Sequence, residues 1–390
     1  MPFANALSEL EDTAEAASEV ALTALEQLGV EPELAVVFFS PHHASENDQL
    51  MRTLRQQLPD VPLVGMLGES VVGGAREAEE GPALSLWLGS WNGKMDIDVF
   101  HLSPEATPDG PTLFGWPDSI FEADPAQSVL LTFADPFSFP AVELFLPTIN
   151  EQHPGLRVIG GMSSNPFGPE VTSLFLDGEA RVGGAIGVLL RGTPRVRTLV
   201  SQGCRPVGKP LVVTKATDNV IQELSGPATP LNYLRLLLEE VSQAERELMQ
   251  RGLLIGLAVS EYRDQFRRGD FLIRNLIGLD PRTGALAVTD RVRLGQTVQF
   301  QTRDAAAAHE DLAELLTHVG DDGFKPTGGL LFTCNGRGKR MFTTPNHDAE
   351  TIREALGNVA LAGLFAAGEL GPVGDRNFIH GFTASAVFFE

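Results

Sequence analysis

AVVFFSP (Ala35–Pro41) and LLTFADP (Leu130–Pro136) each read as a short buried strand that ends at a polar residue and a proline. A helical stretch follows each, and then VPLVGMLGES (Val61–Ser70) in one case and LRVIGGMSSN (Leu156–Asn165) in the other. Pro41 and Pro136, like Gly65 and Gly160, are separated by 95 positions. Equal offsets over two separate blocks point to an internal repeat. A third copy runs GLLFTCNGRG (Gly329–Gly338), a helix from Ala349 to Leu356, and ALAGLFAAGE (Ala360–Glu369). It places Cys334 where the others have Ser40 and Asp135. A fourth, weaker copy is expected over Leu211–Thr217, a helix through Tyr233 to Met249, and Leu253–Val259.

Strand, helix, strand is most simply a parallel pair joined by a right-handed crossover. Further strands are expected at Ala83–Leu88, Ile97–Leu102, Thr172–Leu176, Gly184–Leu190, Phe271–Leu279, Thr297–Thr302 and Ala384–Phe389. The expected fold class is therefore α/β, with mixed sheets, repeated strand-helix-strand units, and helices outside the sheets in two packed, layered domains. Leu7, Leu10, Ala14, Ala17, Ala21, Leu25 and Leu28 predict an acidic amphipathic helix before the first strand. The expected division is residues 1–33 for that helix, 34–225 for a first domain and 226–390 for a second, with the boundary in SGPATP (Ser225–Pro230).

The chain has 390 residues and a formal net charge of −22, a field that repels nucleic-acid phosphates and anionic membrane surfaces. Arg337, Lys339 and Arg340 form a cluster too short for a duplex footprint. Just two cysteines, Cys204 and Cys334, far apart in sequence, give no disulfide framework. No signal-peptide pattern is read at the N-terminus and no apolar run approaches the ~18 residues of a membrane span, so a cytoplasmic location is expected. His42 and His43 with Glu46 and Asp48 lack the spacing of a metal motif, and no phosphate-loop, dinucleotide or nucleophile-elbow signature occurs. No metal and no cofactor are expected.

SQGCRPVGKPLVVTKATDNVIQELSG (Ser201–Gly226), PLNYLRLLLEE (Pro230–Glu240), RDAAAA (Arg303–Ala308), FTCNGRG (Phe332–Gly338) and the C-terminal AAGELGPVG and FIHGFTASAVFF resemble the FIST family, named for F-box and intracellular signal transduction proteins. The resemblance implies tandem N- and C-terminal FIST domains acting as a sensory module for a small ligand such as an amino acid. It implies a separate signalling protein as partner, because this chain shows neither a kinase nor an F-box.

Ligands in α/β sheets collect at strand ends, where loops vary and helix N-termini point. The repeat brings four such loops to notice: Ser40–His43; Gly68, Glu69 and Ser70; Ser163, Ser164 and Asn165; and Cys334, Asn335, Gly336, Arg337 and Gly338 with Gly368 and Glu369. The glycine-flanked turn after Cys334 is expected to turn its N–H groups inward as an anion nest, with Arg337 contacting a ligand carboxylate and Glu369 or Glu69 its amine. The blander reading makes Cys334 a small buried hydrophobe and Arg337 half of a structural ion pair. His380 and Thr383, in the HGFT segment that matches the family, are expected to line the pocket, or to be hydrogen-bonded within a sheet. Cys204 reads as part of a turn. An enzyme with Cys334 as nucleophile and His380 or Glu369 as base is the alternative, as is a ligand-free scaffold, but the spacing fixes no acid or base beside the thiol. The chain is therefore read as a non-enzymatic sensor.

Overall fold

The apolar runs that begin near Leu34, Leu130 and Gly329 each become the first strand of a parallel pair. The computed structural model describes residues 2–390 except 172, 193–194, 227 and 263–264. Leu34–Phe39 pairs with Leu63–Leu67, Val37 opposite Gly65. Ser128–Ala134 pairs with Arg157–Met162, Thr132 opposite Gly160. Gly328–Cys334 pairs with Ala360–Ala366, Leu331 opposite Gly363. All these strands are buried on both faces, which is why they read as continuous apolar runs rather than alternating ones.

Each pair is then extended in the same way. A returning strand, Leu84–Gly89, Ala185–Gly192 or Thr383–Phe389, lies antiparallel to the first strand of its pair. Beyond it lies Phe3–Ser8, Met95–Thr107 or Val196–Gln202. On the other side sits a hairpin, and here the order is exchanged. The hairpin that follows Leu63–Leu67 (Val71–Gly73, Arg76–Ala78) docks on Ala360–Ala366. The one after Arg157–Met162 (Leu174–Leu176, Glu179–Arg181) docks on Leu63–Leu67. The one after Ala360–Ala366 (Gly368–Val373, Arg376–His380) docks on Arg157–Met162. Three sheets thus share one strand order, and each lends a hairpin to another; the second also carries Gly110–Phe114. Phe38, Phe133 and Phe332, each one residue past the position opposite the paired glycine, meet with ring centroids 5.8–6.1 Å apart.

Helices cover the outer faces. Thr13–Leu28 is capped by Asp12, whose side chain accepts from the Glu15 N–H, and stops at Gly29, which takes φ 68°. It buries Ala17, Val20, Ala21, Ala24 and Leu28 over Ala35, Val37 and Phe39. The helix expected from Leu7 thus starts later, and Phe3–Ser8 is a strand, because its alternating burial pairs it with Leu84–Gly89. The expected strand at Thr172–Leu176 is seen as Leu174–Leu176; Thr172 itself lies outside the described residues, as does Pro227 of the expected boundary segment.

Two compact units are distinguished: residues 1–200, 312–379 and 383–390 form one, and residues 201–311 with 380–382 the other. The three sheets above belong to the first, apart from the strand-end residues 201–202 and 380. The second is built on an antiparallel ring: Thr297–Arg303, Leu211–Thr217, Val220–Leu224, Leu286–Val288, Phe271–Leu279 and Leu253–Ala258, closing back on Thr297–Arg303. Cys204–Pro206 adds to the edge of Thr297–Arg303. Two helices, Pro230–Glu240 and Gln243–Arg251, accompany it, and Tyr233 stacks on Phe300 at 5.8 Å in its core.

The expected fourth copy is corrected by this ring. Leu211–Thr217 and Leu253–Ala258 do not pair with each other; each is antiparallel to Thr297–Arg303. A hairpin intervenes, turning at Asp218 and Asn219 with Asp218 at φ 51°. Asp-Asn between two strands is a tight-turn signal, and it diverts the chain before any crossover helix. Among the described residues no helix is long and apolar enough to cross a membrane.

Candidate functional site

Cys334 closes its strand, and the chain then turns tightly. Asn335 donates its N–H to the Ala366 carbonyl at 2.8 Å, Gly336 donates to Cys334 Sγ at 3.4 Å, and Arg337 donates to the Cys334 carbonyl at 2.8 Å. Lys339 N–H is taken by Glu79 Oε2 at 2.8 Å, and an added Cβ at Gly338, φ 54°, would run into the same carboxylate. The expected anion nest is therefore corrected: these N–H groups hold the turn together instead of facing a cavity.

Arg337 has no exposed surface. Its Nε donates to Asp348 Oδ2 and its Nη2 to Asp348 Oδ1, both at 2.7 Å. Thr333 Oγ1 donates to Asp348 Oδ2 at 2.6 Å, and His347 Nδ1 lies 2.9 Å from Oδ1. Phe342 stacks on His347 and lies under the guanidinium, 5.2 Å from ring centroid to Cζ. Burial pushes Asp348 up, but the Arg337 charge and the hydrogen bonds around it override that and hold the carboxyl below the ordinary range. The two-donor edge expected to meet a ligand carboxylate is thus taken by Asp348, which is the ion-pair reading of Arg337. One guanidinium nitrogen, Nη1, has no hydrogen-bond partner among the described residues.

Glu369 is also wholly buried, on the strand Gly368–Val373. Its Oε2 accepts from Thr383 Oγ1 at 2.7 Å and from Thr383 N–H at 3.2 Å. The Cys334 thiol, which lies 3.9 Å from Asn335 Oδ1, and the Arg337 charge both act to lower the pKa of its carboxyl. Burial still dominates, raising it from the ordinary 4.5 to about 8. Oε1 has no hydrogen-bond partner among the described residues. Sequence spacing alone assigns no acid or base to Cys334; folding brings Glu369 into interaction with the thiol.

Glu77, on the hairpin borrowed from the first copy, was not singled out by the sequence. Its Oε1 accepts from Ala349 N–H at 2.9 Å, at the start of the helix His347–Leu356, while Oε2 lacks a partner among the described residues. Burial and the Asp348 charge raise it to about 8.

The remaining expected residues have structural occupations. Glu69 is ion-paired with Arg340, whose Nη1 also donates to the Asn335 carbonyl at 2.8 Å. Glu69 lies four residues past Gly65, the partner of Val37, whereas Glu369 lies six past Gly363, the partner of Leu331. Ser70 accepts from Phe365 N–H through its carbonyl. Ser163 Oγ donates to the Leu67 carbonyl at 2.6 Å, Ser164 Oγ donates to the Phe365 carbonyl, and Asn165 Nδ2 donates to Gly168 and Val171 carbonyls. Gly368 pairs with Met162, where an added Cβ would meet Ile379. His380 is buried and falls in the other compact unit. Cys204 starts a strand instead of lying in a turn, within an apolar cluster of Leu254, Ala258, Phe271 and Ile273.

Cys334, Arg337, Glu369 and Thr383 are therefore the members of the expected set that the first unit gathers at one centre. Asp348, Thr333, His347, Phe342 and Glu77 are the ones sequence reasoning missed. Fold and centre together define a mixed α/β protein with a closed, charged strand-end site. Residues 33–227 match the FIST N domain and residues 231–372 the FIST C domain, and the chain belongs to the FIST family, whose domains are associated with signal transduction. It is similar to the uncharacterized protein Rv0628c of Mycobacterium tuberculosis (strain ATCC 25618 / H37Rv), 42% identical over 385 residues that cover 98% of each chain. It is also similar to the uncharacterized protein Mb0898c of Mycobacterium bovis, 40% identical over 380 residues, 97% of this chain and 96% of that protein.

Proposed function

We propose that the protein is a cytoplasmic sensory protein that binds a small metabolite, an amino acid or a close relative, at the Cys334–Glu369 centre and reports to a separate signalling protein. The observation that carries this reading is a contrast between equivalent strand ends. Asp135 is satisfied by Ser138 and Ser173, and Ser40 by the Ala83 N–H, with the His43 Nε2 left over nearby. At Cys334 two ionisable groups that interact with the same thiol, Arg337 and Glu369, each keep a buried polar atom with no hydrogen-bond partner among the described residues. Such atoms are rare in finished cores and mark places where a ligand or water completes the bonding.

A ligand carboxylate would accept from Arg337 Nη1 and a ligand ammonium would meet Glu369, whose ionisation the ammonium favours. Arg337 and Glu369 have no exposed surface, so seating a ligand requires the centre to open, and opening is what a partner would read. The test is a thermal-shift screen of the common amino acids. At a hundredfold its Kd a ligand adds ~2.7 kcal/mol, a shift of several degrees. At least one compound should stabilise the wild type and lose its effect on Glu369→Gln. No stabilising compound, or a shift that survives the substitution, overturns the assignment.

A further inference from the structure

We propose that Cys334 is a peroxide-reactive cysteine, so that the centre takes an oxidative input in addition to any ligand. The sulfur accepts the Gly336 N–H at 3.4 Å, lies 3.9 Å from Asn335 Oδ1, and interacts with the Glu369 carboxyl and the Arg337 guanidinium. A thiol that reduces a hydroperoxide needs a base for its proton, a positive group for the thiolate and a proton for the departing oxygen. Glu369 and Arg337 supply these. Burial raises the carboxyl to about 8, so it becomes a base for the thiol proton as pH rises toward that value.

The step balances without further groups. Ionised Glu369, the form that fills as pH rises toward about 8, takes the thiol proton, and the thiolate attacks the distal oxygen of the hydroperoxide. An S–O bond forms as the O–O bond breaks, and the departing oxygen recovers the proton from Glu369. Sulfur is oxidised to the sulfenic acid, and the hydroperoxide is reduced to water or an alcohol. The hydroxyl is added to a sulfur that interacts with both groups, whose Oε1 and Nη1 have no hydrogen-bond partner among the described residues. Cys334 keeps 7% of its surface exposed, which suits a small hydroperoxide better than a bulky reagent. One external thiol condenses with the sulfenic acid to a mixed disulfide and water, and a second releases Cys334 as the thiol while the two external thiols become a disulfide. Cys204, in its apolar cluster, is the internal control.

The reduced full-length protein is treated with hydrogen peroxide without any metabolite, so the result does not depend on the ligand reading. Sulfenic acid is trapped and quantified at each cysteine by peptide mass spectrometry, which separates it from methionine oxidation. Cys334 should react at least about tenfold faster than Cys204 and be restored by dithiothreitol. Glu369→Gln should slow it by roughly 10²-fold, the usual worth of a positioned acid-base group, and flatten its pH profile. Thr383→Val, which removes only the hydroxyl that holds Glu369, should shift that profile and carries the test if Glu369→Gln melts abnormally. Equal rates at the two cysteines, or an unchanged rate and pH profile in the folded variants, overturn the proposal.

Discussion

The Arg337–Asp348 pair shows how a buried charge stays in a core. Arg337 is shielded from water and held at two points, and Asp348 takes two further contacts, from Thr333 and His347. Removing one partner leaves the other charge uncompensated, so Arg337→Ala or Asp348→Ala should each cost about 3–5 kcal/mol in urea unfolding. The double substitution should cost clearly less than the two singles added, because both charges go together. Simple additivity would show that the pair does not act as a unit. The carboxyls nearby act in the opposite sense with pH. Glu369 and Glu77 hold in the folded state, up to about pH 8, a proton that the unfolded chain releases near 4.5. Their contribution is therefore full below the unfolded value and is lost as pH rises, by up to ~1.4 kcal/mol per unit for each group. Asp348, held low, contributes above the ordinary carboxyl range and loses that contribution as the medium becomes more acid. Stability should peak near roughly pH 5 and decline toward pH 8, and Glu369→Gln should remove about half of that decline. A slope that the substitution leaves untouched would show that Glu369 is not the group responsible.

At the scale of elements, the paired glycines explain why the parallel strands lie as they do. An added Cβ at Gly160 would run into the Thr132 carbonyl oxygen, and one at Gly363 into that of Leu331, both on the neighbouring strand. At Gly65 the nearest atom is instead the flexible Met51 Cε at 2.8 Å. Gly160→Ala and Gly363→Ala should then each destabilise by about 3 kcal/mol or more, and Gly65→Ala by less, because Met51 can move aside. Equal losses at all three would mean that the strands yield as easily as a side chain. The same strands were the most legible part of the sequence, since burial on both faces leaves an uninterrupted apolar run that needs no partner to be recognised. The docking of the hairpins was not legible. Leu174–Leu176 was expected as a strand and Val71–Gly73 was not, but both are three residues long and what decides their docking is the shape of another sheet. For the same reason Glu77 went unnoticed, because it reaches Asp348 only once its hairpin has joined the third sheet. Cys334, Arg337 and Glu369 were found because strand ends and glycine turns are local signals. Asp348 is merely the second residue of a helix until folding places it against the guanidinium.

Over the whole first unit, the exchanged hairpins tie the three sheets into one cooperative body. No sheet is complete without a segment that follows another sheet's parallel pair, so none can unfold without removing an edge from its neighbour. The three phenylalanines sit where this dependence is most concentrated: Phe38, Phe133 and Phe332 come one from each sheet and are wholly buried in a single apolar cluster. Phe332→Ala should cost about 3–5 kcal/mol, since the cavity has rigid walls on every side. For a unit of this size that lowers the melting temperature by roughly 10 °C. The more telling measurement is amide hydrogen exchange. If the sheets open together, the substitution should lower protection by a similar factor in Leu34–Phe39, Ser128–Ala134 and Gly328–Cys334, although only the last carries the change. Loss confined to Gly328–Cys334 and its immediate partners would mean that each sheet opens on its own and that the borrowed hairpins carry no coupling. A shared loss would give the centre at Cys334 a route to the other two sheets, because an event that loosens one strand end would be felt by all three.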